Sequence, residues 1–248
     1  MNILFLGYKD CKLFDFLNGL YNVTHTEEKI RTESCEDFDW VISFGYRHIL
    51  KSDFISRFDG KIINLHISYL PYNRGCHPNV WSFVEGTPKG VTIHLMDEGI
   101  DTGDILLQKI IDFSYFENTL SSTYKKLIEE IQNLFIENSD DLLHNRINAI
   151  PQSGEYSHHF AKDLKKIKHL LVDSWETKIN LIMNNRTDLE IISDVEKVRA
   201  KNNVNWMDIL RLAFTHAPKE AKALMSKVND HDAKISDLLA ELSTNEEA

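Results

Sequence analysis

The chain has 248 residues, 42% of them hydrophobic and 27% charged, which is enough apolar material for one large domain with a small appendage and excludes disorder as its main character. A net charge of -10 argues against a polynucleotide partner, because phosphate contacts call for a basic surface. The three cysteines, Cys11, Cys35 and Cys76, lack the spacing of a zinc knuckle or a redox pair, so reduced thiols in a cytoplasmic protein are expected. No stretch approaches the ~20 apolar residues of a membrane span, and no membrane partner is expected.

Ile3 to Gly7 is a short apolar run ended by glycine and reads as a buried first strand of a parallel sheet. Phe14, Leu17 and Leu20 follow at helical spacing. Further apolar runs at Trp40–Gly45, Lys61–His66, Val91–Leu95 and Ile105–Ile110 read as strands. The short loop between the last two predicts an antiparallel hairpin. Gly7 does not open a dinucleotide fingerprint, since no further glycines follow at the needed spacing.

From Ser121 the period changes. Tyr124, Leu127, Ile128, Ile131, Leu134 and Phe135 make one helical stripe. Gly154–Phe160 reads as a short strand and Asp163–Leu171 as an amphipathic helix. Composition shifts near Asn184–Arg186 towards helix formers. Trp206, Ile209, Leu210 and Ala213 share a helical face, and Pro218 stands where a new helix can begin. The expected organisation is a catalytic domain over residues 1–185, with its core in 1–110, and a helical extension over 186–248.

The richest stretch is Asn64-Leu65-His66-Ile67-Ser68-Tyr69-Leu70-Pro71-Tyr72-Asn73-Arg74-Gly75. Period-two geometry puts Asn64 and His66 on one face of a strand end, where α/β sheets bind ligands. A second cluster, from His94 to Leu106, brackets an acidic loop with Gly99 and Gly103. Asp101 in that loop can orient a histidine across the strand ends, whereas His94 sits in an apolar run and reads as a core histidine. Adjacent His158 and His159 would face opposite ways in a strand, so no metal site is expected there.

Asn64-x-His66, then Ser68-x-Leu70-Pro71, then Asp101-x-Gly103 resemble the motifs of the N10-formyltetrahydrofolate-dependent formyltransferase family. The resemblance implies an α/β, Rossmann-like formyltransferase domain with a mostly parallel sheet, followed here by the small helical extension. It covers residues 1–110 best. Tyr72–Gly75 through His77–Trp81 is similar to the branch acting on nucleotide-linked dideoxy-aminosugars. The acceptor implied is dTDP-4-amino-4,6-dideoxyglucose, serving surface polysaccharide such as O-antigen lipopolysaccharide, and the co-substrate is N10-formyltetrahydrofolate with no metal. Glycinamide ribotide or aminoacyl-tRNA acceptors, and a non-catalytic nucleotide-sugar-binding protein, are the alternatives.

In the reaction so implied, Asn64 donates to the oxyanion, His66 takes the amine proton and Asp101 fixes the imidazole. The resemblance assigns the pterin to His48, Ile49, Leu50, Met96, Gly99 and Ile100. Tyr69, Asn73, Arg74, His77 and Trp81 are assigned to the sugar nucleotide. A homodimer is expected from the apolar content of the later half.

Overall fold

The structure is a computed structural model and describes residues 1–30, 38–113, 118–183 and 215–244. The chain divides into two compact units, Met1–Met183 and Asn184–Ala248. In the first, the elements run β1 (Asn2–Gly7), α1 (Lys12–Leu20), β2 (Asn22–Thr26), β3 (Trp40–Phe44), α2 (Ser52–Arg57), β4 (Ile62–His66), β5 (Arg74–Gly75), α3 (Pro78–Val84), β6 (Gly90–Leu95), β7 (Ile105–Ile110), α4 (Leu120–Glu137), α5 (Ser139–Leu143) and β8 (His158–His159). Three 3-10 segments, Ala161–Leu170, Ser174–Glu176 and Ile179–Leu181, close the unit. The second unit is described through one long helix, α6 (Pro218–Thr244). The stripe of Trp206, Ile209, Leu210 and Ala213, the shift at Asn184–Arg186, and Cys35 lie outside the described residues.

Six strands form one sheet in the order β2-β1-β3-β4-β6-β7. The first four are mutually parallel and β6 reverses direction between β4 and β7, so β6 and β7 form the antiparallel hairpin expected from their short loop. Alternation along each strand sorts the side chains. Ile3, Phe5, Ile42, Ile63, Leu65 and Ile93 face α1 and α4 in the largest core cluster. Leu4, Leu6, Val41 and Ile62 face the opposite way and pack with Phe54 and Ile55 of α2.

That second face changes character across the sheet. Beyond Ile62 its residues are Asn64 and His66 on β4, paired in register with His94 and Thr92 on β6. One half of the face is therefore apolar and covered by α2, and the other half is polar. A third cluster joins Val80, Trp81 and Phe83 of α3 to Leu120, Ile167, Ile179 and Ile182.

The segment after α5 returns to the sheet. Ile150 bridges Ile105, and the two-residue strands β5 and β8 pair in parallel. The expected helix over 163–171 is a 3-10 segment, and the expected strand over 154–160 contracts to His158–His159. The Leu70–Pro71 peptide bond is cis.

Candidate active site

Asp101 is the hub of the polar half-face. Its Oδ2 accepts a hydrogen bond from the Gly75 amide at 2.8 Å, and its Oδ1 accepts one from Asn64 Nδ2 at 3.1 Å. His66 Nδ1 lies 3.5 Å from Oδ2 and His94 Nε2 lies 3.5 Å from Oδ1. Burial opposes ionisation of this carboxyl, but the charge of His66, the hydrogen bond and charge of His94 and the Gly75 amide outweigh it. Its pKa is held well below the usual carboxylate range.

Tautomers follow from the fixed partners. His66 Nε2 lies 3.1 Å from the Asn73 carbonyl oxygen. A carbonyl only accepts, so Nε2 carries hydrogen and Nδ1 is the basic atom, facing Asp101. His94 Nδ1 lies 2.7 Å from the Leu95 carbonyl oxygen and donates to it, so Nε2 is the atom turned to the centre, 3.2 Å from Asn64 Nδ2 and 3.5 Å from Asp101 Oδ1. The Asn64 amide orientation is set as well, since its oxygen would repel the Asp101 carboxylate if exchanged with the nitrogen. The two amide hydrogens of Asn64 thus lie towards Asp101 and His94.

The framework around this centre is local and polar. The 68–72 turn is anchored on β6 and β7: Thr92 Oγ1 donates to Ser68 O at 2.7 Å, and Gln108 Nε2 donates to Leu70 O at 2.7 Å. Asp101 has φ of +53° and Asn73 of +58°, left-handed conformations that asparagine and aspartate tolerate better than most residues. Gly75 has φ of +86°, and a Cβ there would come 2.4 Å from His159 O.

The other site residues named from sequence fall in several environments. Asn73 is fully buried, with Nδ2 donating to Glu85 Oε2 at 3.0 Å and Oδ1 accepting from Thr87 at 2.7 Å; its side chain serves the fold, and its carbonyl serves His66. Arg74 is engaged by Gln152 Oε1 at 2.7 Å and by the Tyr156 ring at 5.0 Å. Trp81 is only 6% exposed, and its face is covered by the His159 ring at 3.9 Å and 5°. Tyr69 and His77 are half-buried beside these residues. His48, Gly99 and Ile100 are exposed, Ile49 is 77% exposed, and Leu50 and Met96 pack in the core cluster under α2.

Two contributors have no signal in the sequence. His94 is buried as expected of a core histidine, yet it reaches both Asn64 and Asp101. Gln152 holds the Asp101 loop from outside, with Nε2 donating to Asp101 O at 2.9 Å and Gly103 O at 2.7 Å. Only the register of β6 on β4 could have pointed to His94, and no local pattern marks Gln152. A third group stands near the ends of β1 and β3. The Tyr124 hydroxyl is pushed up to about 12, first by burial and then by Tyr8 beside it, with Arg47 pulling the other way.

Fold and centre together define a mixed-sheet α/β protein with an Asn–His–Asp constellation on its polar half-face. Comparison with known proteins agrees. The family model described as formyl transferase matches residues 18–138. The crystal structure of the formyltransferase PseJ from Anoxybacillus kamchatkensis, in complex with UDP-4,6-dideoxy-4-formamido-L-AltNAc and tetrahydrofolate, is 41% identical. It covers 73% of this chain and 97% of that one, with a TM-score of 0.71. The dTDP-4-amino-4,6-dideoxyglucose formyltransferase of Mycobacterium tuberculosis is 30% identical over 139 residues, 56% of this chain and 58% of that protein. The bifunctional polymyxin resistance protein ArnA of Wigglesworthia glossinidia brevipalpis is 36% identical over 147 residues, 59% of this chain and 22% of that protein. The chain thus spans 58% or less of these two curated relatives. It belongs to the formyl transferase family.

Proposed function

We propose that this protein transfers a formyl group from N10-formyltetrahydrofolate to the amine of a nucleotide-linked 4-amino-4,6-dideoxy sugar. The observation that carries the reading is the convergence of His66, His94, Asn64 and the Gly75 amide on Asp101. In the reaction, the neutral amine attacks the formyl carbon and the carbonyl oxygen becomes an oxyanion. Asn64 stabilises it by turning the amide hydrogen that lies towards His94 Nε2, 3.2 Å away, to the stronger charged acceptor. The amine proton passes to His66 Nδ1, where Asp101 stabilises the imidazolium. Collapse of the tetrahedral centre breaks the bond to folate N10, which takes a proton as tetrahydrofolate leaves.

The pterin is assigned to the 48–50 and 96–100 loops, where Ile49 offers an exposed apolar face and Leu50 and Met96 anchor the backbone. Among the described residues no three His, Cys, Asp or Glu side chains are arranged to hold a metal ion, and the proposed chemistry uses none. The likeness to PseJ, over nearly its whole length, favours a UDP-linked acceptor over the dTDP-linked sugar expected from sequence. On the resemblance alone we extend the reading to a cytoplasmic homodimer supplying surface polysaccharide.

The test is a transfer assay with N10-formyltetrahydrofolate and a panel of UDP- and dTDP-linked aminosugars, read by mass. One added formyl group on one sugar, absent with His66→Ala, is expected. Transfer only to glycinamide ribotide or aminoacyl-tRNA would replace the acceptor, and undiminished transfer by His66→Ala would remove the mechanism.

A further inference from the structure

Trp81 is the tryptophan that the resemblance assigns to the sugar nucleotide, but its ring is covered by His159. A different tryptophan is presented outward. Trp175 is 44% exposed and lies over the His77 ring with centroids 5.8 Å apart and planes 27° apart. We propose that Trp175, backed by His77, is the platform on which the base of the acceptor's nucleoside diphosphate stacks, beside the lysine-rich segment that follows β8. The proposal rests on the reading of the acceptor as a nucleotide-linked amine.

The turn that carries Trp175 is held rigidly. Thr177 is fully buried, accepts from the Asp173 amide at 2.9 Å and donates to Ser174 O at 2.7 Å. Its own carbonyl accepts from the Leu120 amide at 3.0 Å, and Glu176 accepts from the Thr119 hydroxyl at 3.1 Å. Ser174 takes φ of +52° within this turn. A large apolar ring exposed on a pinned turn, with one face already supported by an imidazole, is preorganised for a planar ligand.

The platform is tied to the reacting centre through a short stretch of chain. Gly75, whose amide binds Asp101, precedes His77 by two residues, which reach at most ~7 Å. Trp175 lies a further 5.8 Å from the His77 ring. In the proposed pose the amine lies at Asp101 and the base at Trp175, with the sugar, diphosphate and ribose between them.

Charge supports the same placement. The chain carries a net charge of -10, yet Ala161–Leu170 holds four lysines, Lys162, Lys165, Lys166 and Lys168, against one acid, Asp163. Lys166 pairs with Asp163. This segment packs through Ile167 into the cluster with α3, the helix that follows His77, so its cations lie in the same part of the unit as Trp175.

The experiment is calorimetric titration of the full chain with UDP, dTDP and inorganic pyrophosphate, repeated with Trp175→Ala and Trp175→Phe. Base stacking predicts that Trp175→Ala weakens nucleotide binding roughly 5- to 150-fold. Trp175→Phe is expected to retain most of the affinity, with unchanged melting in both variants. Pyrophosphate is expected to bind more weakly than UDP. Equal affinity for pyrophosphate and UDP, no nucleotide binding by the wild type, or UDP binding indifferent to Trp175→Ala would each overturn the platform. A change of oligomeric state in Trp175→Ala with UDP binding intact would reassign the patch to a subunit interface. UDP held through Trp175, with no formyl transfer to any nucleotide-linked amine, would instead sink the acceptor reading and keep the platform.

Discussion

Asp101 is where the residue-scale energetics concentrate, because four partners meet on one carboxylate. A folded pKa held low stabilises the protein above the unfolded value of about 3.9, and that contribution is lost as pH falls through the folded value. The stability gap between wild type and Asp101→Asn, from denaturant titration, is therefore expected to be constant above pH ~5 and to narrow below ~4. A gap that persists unchanged to pH ~2 would show that the native carboxyl titrates like that of the unfolded chain, with its pKa not held low. His66→Ala is expected to lower turnover by about 10²- to 10⁴-fold while folate affinity holds. Equal loss of folate binding would make His66 a structural residue. Asn64, His66 and Asp101 were legible because two of them sit two apart on a strand end and the third lies in a glycine-bracketed loop. His94 was read as core, and the burial was right; its contact with Asp101 depends on the β4–β6 register, which local pattern does not carry.

Among the elements, α4 follows most directly from its residues. Thr119 and Ser122 form a reciprocal cap, and Leu127, Ile131 and Phe135 recur every four residues and are fully buried. Ile131→Ala is expected to cost about 2–5 kcal/mol by thermal or chemical unfolding, as a large-to-small change in a closed core. A cost under ~1 kcal/mol would mean that the α1–α4 layer is loosely packed. Gly75→Ala is expected to part β5 from β8, since the new Cβ would meet the His159 carbonyl. The readout is a drop in transfer rate larger than the change in melting, because the Gly75 amide also holds Asp101. Wild-type rates in this variant would detach β5 from the site. The strands β1, β3, β4, β6 and β7 were readable as apolar runs, whereas β2, with the polar sequence Asn-Val-Thr-His-Thr at a sheet edge, carries no such signal. The two-residue strands β5 and β8 exist only through pairing with each other across more than eighty residues.

For the whole molecule, three core clusters lie within Met1–Met183 and hold the sheet and every residue of the proposed site. A chain ended after Met183 is expected to unfold cooperatively and to keep the pH profile that Asp101 confers. A non-cooperative transition in that fragment would mean that the remaining residues complete the first unit. The sequence by itself determined the alternation of buried strands, the capped helix α4 and the shared face of Asn64 and His66, because each follows from a period of two or 3.6 within a few residues. Only the tertiary structure decided that Gln152 clamps the Asp101 loop, that His94 joins the centre, and that Trp81 is covered while Trp175 is open. Those outcomes depend on which distant segment lies over which side chain, and chain periodicity carries no information about that.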